Sequence, residues 1–214
     1  MNDEHTMTNF EKEYYFIKRG RNDSLPSPRP FHETEELEYE TKPLPPGAPP
    51  LAFYNIARQW ARKQGHPSLA VPPDVMFEFD NILVRKPVRD ALLEKGVSRI
   101  FTHPAQYVHD DKTLHDYWYV GFTGKFDCLD WELSEIMGED EEDAGIDLRS
   151  RSIPPDVTVF RFNTQLLAST PLNERLLFVI DGCYSPGVVC HESLLPLFHG
   201  FENCGTRATT VEEY

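Results

Sequence analysis

Two alternating apolar runs constrain this chain more than any other feature of its sequence. Residues 157–162 (VTVFRF) and 176–180 (LLFVI) are apolar at alternate positions and at several positions between, which predicts two strands with both faces largely buried. The segment between them is too long for a tight hairpin, so we expect an antiparallel pair joined by a wide connection. A further extended run at 188–191 leads into an apolar segment at 194–198. Because Pro196 is compatible with a helix only in its first turn, this helix is expected to be short.

Strand-like patterns recur along the rest of the chain. Residues 13–17, 75–79 and 117–122 have the alternation or the aromatic content that is typical of strands. We expect the strands at 75–79, 117–122, 157–162 and 176–180 to share one sheet. The alternation of strands with short helices predicts an α+β fold with a mainly antiparallel sheet and short helices packed on it.

Three segments outside these strands predict helices. Residues 51–63 place apolar residues at helical spacing and end in a basic turn. We expect this helix to pack on the sheet through its apolar residues Phe53, Ala57 and Trp60. A second helix is expected to begin at Pro87, because proline is favoured in a first turn. The spacing of apolar residues over 129–137 predicts a third.

The N-terminal part of the chain differs in composition from the rest. Residues 22–50 combine many prolines with acidic residues, which predicts an extended and loosely packed segment. We therefore divide the chain into residues 1–50, with an early strand and this segment, and an α+β domain over residues 51–214. The two parts are expected to form one compact unit.

The chain is strongly acidic, with a formal net charge of −14. This charge disfavours nucleic acid and anionic membranes as partners and favours a basic protein. The densest acidic block, and the set of residues expected to contact a partner, is Glu139, Asp140, Glu141, Glu142 and Asp143. No apolar run approaches the roughly 20 residues that span a bilayer, and the N-terminus lacks a signal-peptide pattern, so a cytoplasmic protein is expected.

Cysteines and histidines are concentrated near the C-terminus, at Cys183, Cys190, His191, His199 and Cys204. Thiols and imidazoles are the ligands that zinc prefers, but structural zinc sites usually present paired ligands at shorter spacing. Buried cysteines that act as small apolar side chains are the simpler expectation. Cys190 beside His191 also suggests a thiol next to a base, although neighbours on a strand point to opposite faces.

A second polar cluster surrounds the aromatic strand at 117–122. Its members are His109, Asp110, Asp111, His115 and Asp116 before the strand, and Asp127 and Asp130 after it. Such side chains can bind a cation or transfer protons, but a surface loop is the simpler interpretation. Asp127 and Asp130 are expected to cap the helix that follows. No phosphate-binding loop, nucleophile elbow or zinc-protease motif occurs, so no catalytic, cofactor-binding or metal-binding residue is assigned.

Several segments, taken in order, resemble a family of bacterial immunity proteins. They are the aromatic strand at 117–122 with Asp127, Asp130 and Ser134 after it, the pair Phe160 and Arg161, and the closing segments at 175–178 and 188–198. The family was first described as a domain of unknown function, and its members are typically encoded beside polymorphic toxins. The resemblance covers roughly residues 75–210.

This resemblance implies a function by binding rather than by catalysis. Members of the family are thought to bind and block a cognate toxin, and no catalytic residues carry over from them. We therefore expect an immunity protein that neutralises a secreted antibacterial toxin by stoichiometric inhibition, with no cofactor. The acidic charge suits a toxin with a basic working surface. The alternatives are a small metal- or thiol-dependent enzyme built on the clusters above, and a non-catalytic adaptor protein.

Overall fold

The computed structural model describes residues 9–137, 154–184, 187–199 and 204–214. The strands are β1 (Tyr14–Arg19), β2 (Pro28–Pro30), β3 (Leu51–Asn55), β4 (Val75–Glu78), β5 (Asn81–Arg85), β6 (Ile100–His109), β7 (Lys112–Phe122), β8 (Glu135–Ile136), β9 (Val157–Val159), β10 (Leu177–Val179), β11 (Val188–His191) and β12 (Thr206–Thr210). The α-helices are α1 (His32–Glu35), α2 (Arg58–Lys63), α3 (Lys86–Glu94), α4 (Thr164–Ser169) and α5 (Leu195–His199). Short 3-10 turns cover Phe10–Lys12, Leu172–Glu174 and Glu192–Leu194.

Six strands form the larger sheet, in the order β2-β3-β6-β7-β5-β4. The pairing of β3 with β6 is parallel, and the other four pairings are antiparallel. The two edge strands, β2 and β4, also contact each other. The sheet therefore curls towards a barrel, and one of its faces becomes an interior.

Four strands form the smaller sheet, in the order β10-β11-β1-β12, and all its pairings are antiparallel. The N-terminal strand β1 lies between two strands from the C-terminal part of the chain. A separate two-stranded ribbon pairs β8 with β9. The expected α+β fold with mainly antiparallel sheets and short helices is confirmed.

Three apolar clusters hold these layers together. The first draws on both sheets and on α3 and α5, so it lies between the sheets. The second covers the opposite face of the smaller sheet with the segments around Phe126 and Phe160. The third fills the interior of the curled sheet, and its largest side chains are aromatic: Tyr39, Phe53, Tyr107, Tyr117 and Tyr119.

Several local predictions are confirmed. β4 covers most of the strand predicted at 75–79, and helix α3 has Pro87 in its first turn and Gly96 after it at φ 72°. The aromatic run at 117–122 lies within β7. The helix α5 is short and has Pro196 in its first turn.

The prediction that four strands share one sheet is wrong. β4 and β7 lie in the larger sheet, β10 lies in the smaller sheet, and β9 lies in the ribbon. The predicted pairing of 157–162 with 176–180 is also wrong, because β10 pairs on one side with β11. Its other side is occupied by the segment around Phe126, whose N–H donates to the carbonyl of Val179 at 2.8 Å. No edge of β10 remains for residues 157–162.

The helix predicted over residues 51–63 is wrong in its first half, which forms β3. Leu51 and Phe53 lie beside Ala105 and Tyr107 of β6 in a parallel register, and both are buried in the interior of the larger sheet. Apolar residues at positions 51 and 53 fit a two-residue period as well as a helical one. The availability of β6 as a backbone partner decides between them, and sequence periodicity carries no information about that partner.

Trp60 is 55% exposed, so the prediction that it packs on the sheet is wrong. The buried residue of α2 is its neighbour Ala61. Replacing Trp60 with alanine is therefore expected to change the free energy of unfolding by less than about 0.5 kcal/mol, whereas a buried large aromatic would give about 3–5 kcal/mol. Urea denaturation at low protein concentration measures the change. A loss above about 2 kcal/mol would mean that the indole packs in the interior after all.

Two further predictions are corrected. Residues 129–137 form turns and β8 instead of a helix, because Glu135 and Ile136 pair with β9 and the Ser134 hydroxyl accepts from the N–H of Arg161. The segment at 22–50 is not loosely packed throughout. It contributes β2 and α1, and Tyr39 within it is fully buried against Phe53 and Tyr119.

Candidate partner-binding surface

The five acidic residues assigned to partner binding, Glu139, Asp140, Glu141, Glu142 and Asp143, lie outside the described residues. The described residues on either side of this block lie next to each other. The N–H of Met137 donates to the carbonyl oxygen of Asp156 at 2.8 Å. The described residues that precede and follow the acidic block therefore meet at the β8–β9 ribbon.

Polar side chains near the start of the ribbon determine its shape. The Oδ1 atom of Asp130 accepts hydrogen bonds from the N–H groups of Glu132 and Leu133, at 3.1 and 3.2 Å. Asp130 thus caps a turn that does not continue into a helix, so the prediction of a helix cap is wrong. The buried hydroxyl of Ser134 accepts from the N–H of Arg161 at 3.1 Å and lies 3.3 Å from the carbonyl of the same residue. These bonds tie the ribbon to the second apolar cluster.

Large apolar side chains are exposed on and beside the ribbon. Leu133 and Met137 are 65% and 63% exposed, and the intervening even-numbered residues Ser134 and Ile136 point towards the protein. Tyr184 is 64% exposed, and its N–H donates to the carbonyl of Pro155 at 2.8 Å, which places it beside the returning strand. Exposed aromatic and methionine side chains are enriched at protein interfaces.

Exposed carboxylates surround these apolar residues. Glu132 and Glu135 lie on the outgoing side of the ribbon, and Asp156 lies on the returning side. We define the ribbon surface as Leu133, Glu135, Met137, Asp156 and Tyr184. It combines an apolar centre with an acidic rim, an arrangement that suits a partner with apolar side chains among cations.

Three of the four cysteines are buried in the apolar clusters. Cys190 is fully buried between the two sheets, and Cys128 and Cys183 are buried in the second cluster. Burial raises the pKa of all three thiols, that of Cys183 to about 12. Because the thiolate is the nucleophile and the metal ligand, these groups act as small apolar side chains, as expected for Cys183 and Cys190. Cys204 is half-buried.

His191 points away from Cys190, as neighbours on a strand must. Its Nδ1 atom accepts from the N–H of Ser193 at 3.2 Å and lies 3.0 Å from the Ser193 hydroxyl, so the ring caps the turn that follows β11. The Nε2 atom lies 3.6 Å from a carboxylate oxygen of Glu13. Burial lowers the pKa of His191, although Glu13 opposes the change. These contacts assign His191 a structural role.

The polar side chains predicted to lie in a loop at 109–116 make tertiary contacts. A carboxylate oxygen of Asp110 lies 2.9 Å from Arg58 and 3.2 Å from Arg62, and it accepts from the Ser68 hydroxyl at 3.0 Å. His109 Nε2 lies 2.7 Å from the carbonyl of Leu69, and Asp116 pairs with Arg85. The surface-loop interpretation is correct for Asp110 and Asp111, which form the turn of the β6–β7 hairpin, and wrong for His109, His115 and Asp116, which lie in β6 and β7. Among the residues that the structure describes, no three His, Cys, Asp or Glu side chains are grouped so that they could hold a metal ion.

Sequence reasoning missed the tight turn between β4 and β5. Phe79 has a left-handed φ of 51° and an exposed ring, and the guanidinium carbon of Arg29 lies 4.3 Å from the centre of that ring. A cavity of about 360 Å³ adjoins the turn. Its lining includes Asp80 and Lys125, which lie 3.6 Å apart. Next to the turn, Glu78 is buried in the interior, and the only hint in the sequence is that it shares a strand face with apolar Met76.

No protein-family model matches the chain, and a search of curated proteins gives no significant match. Within the described ranges, none of the helices has the length and apolar character needed to span a membrane.

Proposed function

We propose that this chain is a cytoplasmic immunity protein that binds a cognate secreted antibacterial toxin and neutralises it by stoichiometric inhibition. The observation that carries the proposal is the ribbon surface. Three large apolar side chains are exposed among carboxylates at the point where the densest acidic block joins the protein. Exposed apolar residues with an acidic rim favour a protein partner whose surface is basic.

The charge of the chain supports the same proposal. A net charge of −14 attracts a basic partner over a distance and speeds the encounter. Toxins that act on nucleic acids or on anionic surfaces tend to carry basic working surfaces, so an acidic inhibitor suits them. The three buried thiols, with their raised pKa values, favour binding over thiol-dependent catalysis.

Co-expression with the neighbouring gene tests the proposal. We expect the tagged chain to capture the C-terminal domain of that gene product in a one-to-one complex of nanomolar or tighter affinity, and to restore growth of cells that express the domain. An adaptor protein would bind without restoring growth. Absence of binding at micromolar concentration, together with absence of protection, would refute the immunity proposal.

Charge reversal within the acidic block tests the steering argument. Replacing Glu139, Glu141 and Asp143 with lysine is expected to slow association about ten-fold while changing dissociation less, because rim charges act mainly on the encounter. Stopped-flow measurements between low salt and about 0.5 M give both the rates and their salt dependence.

A matched variant separates the effect of the acidic block's position from the effect of the overall net charge. Replacing the exposed Glu33, Glu35 and Glu36 with lysine changes the net charge by the same amount at α1. We expect this variant to associate faster than the block variant. If the two variants associate at equal rates with equal salt slopes, the acidic block has no special part in the encounter.

A further inference from the structure

The cavity of about 360 Å³ beside the turn between β4 and β5 has no residue of the ribbon surface among the described residues that line it. The end of β7, the residues after it and residues 40–41 also border this cavity. Phe122 and Val179 give it apolar walls. Its volume is in the range of about 300–1,000 Å³ in which small-ligand pockets usually fall. We call it the turn cavity.

A buried amide group faces the turn cavity without a partner. Asn81 lines the cavity and is only 9% exposed, yet its side chain makes no hydrogen bond with any residue that the structure describes. The side chains of Asn22, Asn55 and Asn163, by contrast, all accept from backbone N–H groups. A buried amide without a partner costs about 1–3 kcal/mol of folding free energy. Such a group in a cavity wall can bind a ligand that supplies the partner.

Two carboxyl groups lie near this amide. Glu40 lines the cavity and forms no ion pair with a described residue. Glu78 is the strand partner of Asn81 and is 2% exposed, and neither of its carboxylate oxygens has a hydrogen-bond partner among the described residues. Glu40 is close enough to Glu78 to raise the pKa of that group. The surroundings of Asn81 are therefore rich in unpartnered hydrogen-bond acceptors.

The cations near these acceptors have other contacts. Lys125 lies 3.6 Å from the carboxylate of Asp80 at the cavity wall. The guanidinium carbon of Arg29 lies 4.3 Å from the centre of the Phe79 ring. Arg29 is near enough to oppose the rise in the pKa of Glu78, but it forms no ion pair with that carboxyl group. An additional cation in the cavity would supply the N–H donors and the charge that the acceptors lack.

We propose that the turn cavity binds a small organic cation, which carries a planar amidinium or guanidinium head, or an ammonium, on an apolar body. The head donates its N–H groups to the carboxylate of Glu40 and to the amide oxygen of Asn81. The apolar body lies against Phe122 and Val179. This site does not depend on the proposed toxin binding, because it uses none of the residues of the ribbon surface.

Benzamidine is the probe, and benzamide and benzoate test whether the charge of its head is required. The three molecules share a phenyl ring and a planar head, but they carry a positive charge, no charge and a negative charge. NMR chemical shifts of the ¹⁵N-labelled full chain measure each affinity. We expect saturable shifts at residues 79–81 and 122–125 with benzamidine, about ten-fold weaker binding of benzamide and no binding of benzoate. Equal affinities for benzamidine and benzamide, or benzamidine shifts that are absent from these residues, would overturn the proposal.

A matched pair of variants separates binding in the cavity from general attraction to an acidic chain. Glu40→Gln is expected to weaken benzamidine binding about five-fold, roughly the effect of losing a partly solvated ion pair. Glu33→Gln, at an exposed position on α1, makes the same change in net charge and should bind as the wild type does. Equal affinities in the two variants would show that benzamidine is held by the net charge of the chain, and would contradict the site.

Replacing Asn81 with leucine tests the buried amide. We expect this variant to bind benzamidine about five-fold more weakly, because one hydrogen bond to the head is lost. Its free energy of unfolding should not fall, because the change removes a buried polar group that has no partner in the free protein. A wild-type affinity for Asn81→Leu would contradict the assignment. The glutamate pair decides the question if Asn81→Leu does not fold.

Discussion

Replacing Glu78 with glutamine is expected to raise the free energy of unfolding by about 3 kcal/mol at pH 8, but by only about 1 kcal/mol at pH 5.5. Glu78 is 2% exposed, and its strand β4 turns it towards the interior of the larger sheet. Neither of its carboxylate oxygens has a hydrogen-bond partner among the described residues, and the same holds for the hydroxyls of Tyr39 and Tyr119. A carboxylate in this position lacks the stabilisation that water or a partner provides.

The sign of the effect follows from the pKa of Glu78. Burial, assisted by the nearby carboxylate of Glu40, raises this pKa from its ordinary value of 4.5 to about 7, and Arg29 opposes the change. Between these two values the folded protein holds a proton that the unfolded chain releases. The folded state is therefore favoured most below about pH 4.5, and this advantage is lost as the pH rises through 7. Glutamine does not ionise, so the stability of the variant does not fall in this pH range through ionisation at position 78.

Urea denaturation of the wild type and of Glu78→Gln from pH 5.5 to pH 8 measures the effect. This pH range lies above the isoelectric point near 4.9. At each pH, the free energy of unfolding of the wild type is subtracted from that of the variant. This subtraction removes the contribution of the other titrating groups, which both proteins share. The exposed Glu132→Gln change is the matched control, because it also removes one carboxylate but at the surface. A Glu78→Gln difference that is constant over this range would show that the carboxyl ionises normally.

Replacing Met137 with lysine is expected to weaken toxin binding at least a hundred-fold, if the proposed function is correct. The change removes an apolar side chain from the centre of the ribbon surface and places a cation opposite a basic partner. Loss of a central contact and addition of charge repulsion each contribute roughly 1–2 kcal/mol or more. Because Met137 is 63% exposed, the stability of the free protein should hardly change.

The kinetics of this variant should differ from those of the acidic-block variant. Loss of an apolar contact acts mainly on dissociation, whereas loss of rim charge acts mainly on association. Surface plasmon resonance at two salt concentrations separates the two rates. Leu93→Lys, at a partly exposed position on α3, is the matched control and should retain wild-type dissociation. An unchanged affinity for Met137→Lys would remove the ribbon surface from the interface.

Predictions succeeded where neighbouring residues along the chain decide the structure. The strand near 75–79 and the helix that has Pro87 in its first turn are as predicted, because their signals lie within each segment, whereas the turn that pairs β4 with β5 was missed. The connection after Asn163 was predicted only as a wide loop, and it contains α4, which Asn163 caps by accepting from the N–H of Leu166 at 2.9 Å.

The candidate surfaces were less accessible to prediction. The acidic block was evident from composition, but the exposure of Leu133, Met137 and Tyr184 was not, because an apolar residue in a sequence is first expected to be buried. Trp60 illustrates the same difficulty. Its helical spacing with Ala57 and Ala61 is real, yet the side chain that reaches the interior is that of Ala61.

The sequence by itself determined the α+β class, the antiparallel character, the acidic charge and half of the described strands, because periodicity and composition are properties of local segments. Tertiary structure alone decided which strands share a sheet, that residues 51–55 extend beside β6, and that Glu78 lies in an aromatic interior. The physical reason is that a strand is stabilised by its partner, and the partner lies far away in sequence. Burial likewise depends on what packs on each face, and that is known only when the whole chain has folded.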